Sequence, residues 1–183
     1  MRTWKIIIIV ILIGVSVWLY LGISAFFRAE SDVLQQLDEM TQYYVSMDAE
    51  YVQPLAMSSV LSDDQRATLA DISTKITTLS EAKNSTEQFE NLLLVQRSII
   101  SFLSDQGLPE EFMSEERYKN WNTNASNRGE ASRLAYNYNV ALSLYNARHR
   151  TYIGKIASYW RLVHHRSYIG IDGTLQEETR ISF

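Results

Sequence analysis

The chain has 183 residues, with two prolines, seven glycines and no cysteine. Without cysteine there are no disulfides, thiolate metal sites or cysteine nucleophiles, and so few turn residues disfavour a β architecture and suit long helices. The formal net charge of −4 is unevenly spread: residues 28–130 hold 8 basic and 18 acidic side chains, whereas residues 131–171 hold six basic ones and no acidic one.

Residues 6–27 carry no charge. Twenty-two residues at ~1.5 Å rise make a helix of ~33 Å, against a hydrocarbon core of ~30 Å. A signal peptide has an apolar region of ~7–15 residues and an A-x-A-like site, so a retained single-pass anchor over residues 1–28 is expected instead. Arg2 and Lys5 precede the span, while Arg28 is followed by Glu30 and Asp32. Positive-inside logic then puts the short N-terminus in the cytoplasm and the body outside.

Val33, Leu37, Met40, Tyr44, Met47 and Tyr51 alternate spacings of four and three, the seam of a bundle helix. Nothing interrupts the chain before Pro54, so anchor and first helix are expected to form one rod that Pro54 ends or kinks. A second helix is announced by the capping box Ser62-Asp63-Asp64-Gln65, with Leu69, Ile72, Ile76 and Leu79 as its apolar stripe. Ser85-Thr86-Glu87-Gln88 reads as another box opening a third, with Phe89, Leu92, Leu93, Ile99, Ile100 and Leu103, closed by Gly107 and Pro109. "LPEEF" reads as a loop. The fourth begins after Ser114, meets Gly129, and continues to about Arg166.

Tyr138, Tyr145, Tyr152 and Tyr159 recur every seven residues in that fourth segment. With Leu142, Ile156, Val163 and His149 they make its inward seam, since a seven-residue period keeps one side-chain type on one face. Tyrosine there fills core volume while its hydroxyl reaches a wet rim; a phenol-lined ligand groove is the alternative. Asn139 and Asn146 form a neighbouring stripe. Asparagine is a poor helix former, so two at heptad spacing suggest register-fixing hydrogen bonds between helices.

The expected fold is all-α: an N-terminal transmembrane helix followed by an antiparallel four-helix bundle with long first and last helices. Its parts are the anchor 1–28, the bundle 29–166 and a C-terminal tail 167–183. The last helix then returns beside the first and reaches the bilayer. Arg148, Arg150, Lys155, Trp160, Arg161 and Arg166 become candidate lipid-headgroup contacts, at ~1 kcal/mol per basic residue near an anionic leaflet. That leaflet is usually cytoplasmic, which runs against the orientation drawn from the flanking charges.

"YNVALSLYN", from Tyr138 to Asn146, resembles the repeated Tyr-Asn motif in the last helix of LemA family proteins. The order of span, long helix, helical pair, proline-containing loop and Tyr-Asn helix is similar too. The resemblance implies a bacterial, inner-membrane-anchored helical bundle with no known enzyme activity; some relatives are linked to membrane organelle formation, magnetosomes included. One departure stands out. Where the family carries an aromatic-proline pair one heptad on, this chain has Tyr152 followed by Ile153.

The residues suggest no catalytic or metal constellation. His149, His164 and His165 have no Glu-x-x-His or His-x-x-x-His spacing, and adjacent histidines diverge by about 100° on a helix. Glu110 and Glu111 lack an inferable proton-transfer partner. No phosphate loop or nucleophile elbow occurs, and an acidic body disfavours nucleic acid. The expectation is a non-enzymatic, cofactor-free membrane scaffold or protein-interaction module, its protein partner open and self-association allowed. The alternative is a membrane-bound sensor with a small ligand in the tyrosine seam.

Overall fold

The computed structural model describes residues 3–106, 108–113, 115–123, 129–158, 168–169 and 175–176. The chain is predominantly helical. Helix α1, Thr3–Met47, runs 45 residues without a break, and this apolar N-terminal helix is long enough to cross a membrane. Within residues 4–21 every side chain but Leu19 is exposed. From Phe26 onward one face of the same helix is buried at Phe26, Ala29, Val33, Leu37, Met40, Tyr44 and Met47.

Pro54 does not end the helix. A π-helical turn, Asp48–Val52, follows α1 and leads into α2, Gln53–Ala56, with Pro54 in its first turn. The Gln53 N–H donates to the Asp48 carbonyl five residues back, and this widened turn takes in a residue that has no N–H to give. The extra residue rotates the stripe by one position. Tyr51, expected on the seam, is half-buried, and Val52 and Leu55 are buried instead. Asp48 is buried at the turn. Its Oδ2 accepts from Gln53 Nε2 at 2.7 Å and from Ser73 Oγ at 3.0 Å, which ties the turn to the next helix.

Helix α3, Asp63–Ser80, starts at the predicted capping box: Gln65 N–H donates to Ser62 Oγ and Ser62 N–H donates to Gln65 Oε1. Leu69, Ile72, Ile76 and Leu79 are all buried. Helix α4, Ser85–Ser101, is capped by Asn84 rather than Ser85. Asn84 is extended, and its Oδ1 accepts from Thr86 N–H at 3.1 Å and Glu87 N–H at 2.9 Å. Ser85 already belongs to the helix, so its side chain is past the position where capping is possible. A second π-helical turn, Phe102–Gln106, extends α4; Gly107 lies outside the described residues.

Two expectations about the C-terminal half are corrected. "LPEEF" contains a short helix, α5, Glu110–Met113, initiated where Phe112 N–H donates to the Pro109 carbonyl. The predicted fourth helix is not continuous. It comprises α6, Glu116–Thr123, α7, Glu130–His149, and α8, Tyr152–Ser158. Gly129 opens α7, its carbonyl accepting from Arg133 N–H, and a turn at Arg150 and Thr151 separates α7 from α8. In the tail, Tyr168–Ile169 pairs antiparallel with Leu175–Gln176, Tyr168 opposite Gln176.

The chain forms two compact units, Met1–Val33 with Val140–Arg166, and Leu34–Asn139 with Ser167–Phe183. In the second, α3 and α4 pack side by side, and Lys75 Nζ donates to Ser98 Oγ across them. Gln88 Nε2 donates to Thr41 Oγ1 on α1. Trp121 donates its Nε1–H to Met47 Sδ and stacks on Tyr51, the rings 5.9 Å apart. Tyr138 stacks on Phe89. Burial first, then the Glu130 carboxylate and Tyr51, pushes the Tyr43 phenol up to about 12, and burial raises Tyr44 further.

Candidate functional site

The first unit is built where α1 leaves its fully exposed stretch. Helix α7 runs antiparallel to it: Phe26 of α1 meets Tyr145 at 5.4 Å and His149 at 6.3 Å between ring centroids, and one residue turn lower Gly22 meets Ile153 of α8. Leu142, Tyr145, Ile153 and Ala157 are buried there. The α7–α8 corner is what allows this. Thr151 Oγ1 donates to the Arg148 carbonyl at 2.7 Å and accepts the Gly154 N–H at 3.1 Å, so one hydroxyl closes α7 and caps α8. Gly154 is required by space: an added Cβ would press on the Arg148 carbonyl oxygen and lie 2.9 Å from His149 Cα. Gly22 makes room of a softer kind on α1: a Cβ there would come 2.5 Å from Ile153 Cδ1, so the Ile153 side chain would have to shift.

Two clefts flank this corner. One, about 380 Å³, is lined by Trp18, Leu21, Gly22, Ala25, Phe26, Arg148, Thr151, Tyr152 and Ile153. Arg148 is its single charged side chain. The other, about 440 Å³, is lined by Leu21, Ser24, Ala25, Arg28, Ala29, Asp32, Leu144 and Arg148. Arg148 is exposed, belongs to both, and has no carboxylate within ion-pair distance among the described residues. Its place in the last turn of α7 suits a cation, because the helix carbonyls there carry partial negative charge.

No protein-family model, no curated protein and no solved structure matches the chain.

The tyrosine ladder divides. Tyr138 and Tyr145 are 0% and 3% exposed, as a seam requires, and His149 sits half-buried beside Tyr145 in the same register. Tyr152 is 76% exposed, contrary to its expected seam position. The turn at Arg150 and Thr151 breaks the helical phase, so Ile153 points inward and Tyr152 becomes a cleft wall. Tyr159 lies outside the described residues. Asn139 and Asn146 are both half-buried beside the seam.

Of the candidate headgroup residues, Arg148, Arg150 and Lys155 are exposed around the corner. Trp160, Arg161 and Arg166 lie outside the described residues, as do His164, His165 and Val163. Among the described residues no group of three or more His, Asp or Glu side chains is placed to hold a metal ion. Glu110 and Glu111 are exposed.

Sequence reasoning missed the clefts because they depend on the corner. The signal was present: Arg148-His149-Arg150 is the basic last turn of a helix, and Thr151 three residues before Gly154 is a cap followed by a residue that tolerates close approach.

Proposed function

We propose that the chain is a single-pass membrane-anchored helical-bundle scaffold or protein-interaction module of the LemA type, serving membrane organisation. The observation that carries this reading is the single helix α1. Its first part, residues 4–21, is exposed and apolar but for Lys5 near its start, about 27 Å at ~1.5 Å per residue, and the same helix then enters a packed body without interruption. Trp4 at one end and Trp18 and Tyr20 near the other fit the aromatic belts of two interfaces. This moves the proposed lipid-exposed stretch from residues 6–27 to residues 4–21, because from Gly22 on one face of the helix is covered by protein.

The antiparallel packing of α1 on α7 in the first unit, and the side-by-side packing of α3 and α4 in the second, each support a helical-bundle reading. The proposed location is a bacterial inner membrane, N-terminus in the cytoplasm and body outside. The Tyr-Asn motif from Tyr138 to Asn146 supports the LemA relationship, and the absence of a recognisable catalytic grouping in the sequence supports a non-enzymatic role. Burial of Tyr138 and Tyr145 favours packing over a ligand seam. Crosslinking in native membranes followed by mass spectrometry tests the scaffold reading: reproducible protein partners, or copies of the chain itself, are expected. Full extraction of the protein by alkaline carbonate would overturn it.

A further inference from the structure

We propose that the cleft headed by Arg148 binds an anionic phospholipid, its phosphate on the guanidinium and an acyl chain lying along Leu21 and Trp18. The inference rests on the membrane-anchored reading and adds a specific lipid site to it. Three observations converge on the occupant. The cleft opens where α1 passes from full exposure, residues 4–21, to protein cover at Gly22. In the anchored protein that level is the junction of hydrocarbon and headgroups, so lipid is the molecule at hand. The floor is apolar, formed by Leu21, Gly22, Ala25, Phe26 and Ile153, a surface that water solvates poorly and a hydrocarbon chain covers well.

The charge at the cleft head is the third observation. Arg148 is the cleft's one ionised group and lacks a carboxylate partner among the described residues. A guanidinium beside apolar surface attracts a planar, bidentate acceptor, and a phosphodiester offers two equivalent oxygens at the required spacing. Trp18 of α1 and Tyr152 of α8, both largely exposed, line the cleft. Amphipathic rings of this kind settle at the headgroup level with the polar edge toward water. The second cleft shares Arg148 and adds both Arg28 and the Asp32 carboxylate, so its extra cation comes with an acid that repels an anion, whereas the first holds a lone cation over an apolar floor. The first is therefore the lipid site.

The test uses the full chain, purified in mild detergent and titrated with phosphatidylglycerol or phosphatidylcholine, with bound lipid counted by native mass spectrometry. The wild type is expected to retain one phosphatidylglycerol in preference to phosphatidylcholine. Arg148→Glu should lower that retention about tenfold or more, and Arg148→Lys by less, since charge survives without the bidentate fork. Ala25→Trp fills the floor without changing charge and should lower retention of both lipids. Equal phosphatidylglycerol retention by wild type and Arg148→Glu, with both proteins resisting carbonate extraction, overturns the cleft and leaves the anchor standing. Release of the wild type by carbonate overturns the two together.

Discussion

Gly154→Ala probes the corner on which the first unit depends. The new methyl carbon would lie 2.9 Å from the Arg148 carbonyl carbon and from His149 Cα, with the Arg148 oxygen nearer still. Carbon atoms rest at about 3.5–4.0 Å, so relieving the carbon contacts takes roughly 0.6–1.1 Å of separation between α7 and α8, and the nearer oxygen asks for at least as much. The obstruction is backbone, which cannot swing aside as a side chain would. Overpacking of this kind costs about 1–3 kcal/mol, and the upper half of that range applies here. Alanine's better helix propensity returns up to about 1 kcal/mol. The net expectation is a loss of about 1–2 kcal/mol, or a fall of about 2–8 °C in Tm for a chain of this size. Circular dichroism of the detergent-solubilised full chain measures it, with Gly14→Ala as the control, because nothing lies within 4 Å of a Cβ there. A Gly154→Ala protein as stable as the wild type would mean that propensity outweighs contact and that the corner has room.

Tyr145→Ala should cost about 3 kcal/mol through the cavity left against Phe26, whereas Tyr152→Ala should change stability by less than about 0.5 kcal/mol; equal losses on thermal denaturation would contradict the broken ladder. Asn84→Ala should cost about 1 kcal/mol by uncapping α4, measured by urea unfolding, while Ser85→Ala should cost less. Alkali should unfold the protein through its buried phenols. An unfolded tyrosine loses its proton near pH 10 and folded Tyr43 near 12, so between those values the unfolded state binds fewer protons and stability falls as pH rises. Tyr44→Phe should flatten that slope in a pH series of melting curves, and an unchanged slope would count against burial of the Tyr44 hydroxyl.

The local physics of this chain is written in neighbouring residues. The run of apolar side chains at the N-terminus, the Ser62 box and the stripe Leu69, Ile72, Ile76 and Leu79 each depend on contacts within a few turns of one helix, and each is legible by periodicity alone. Register across irregular turns is not. The π-helical turn at Asp48–Val52 exchanges Tyr51 for Val52, and the turn at Arg150 and Thr151 exchanges Tyr152 for Ile153. Each inserts or removes a fraction of a helical turn, and a heptad count carried past it puts the wrong side chain inward. Whether such an irregularity is adopted depends on partners distant in sequence: Ser73 holding Asp48, and Gly22 making room for Ile153. The clefts beside Arg148 belong to that second category. They exist because two helices distant in sequence meet at a corner, and only tertiary packing could bring those residues to one place.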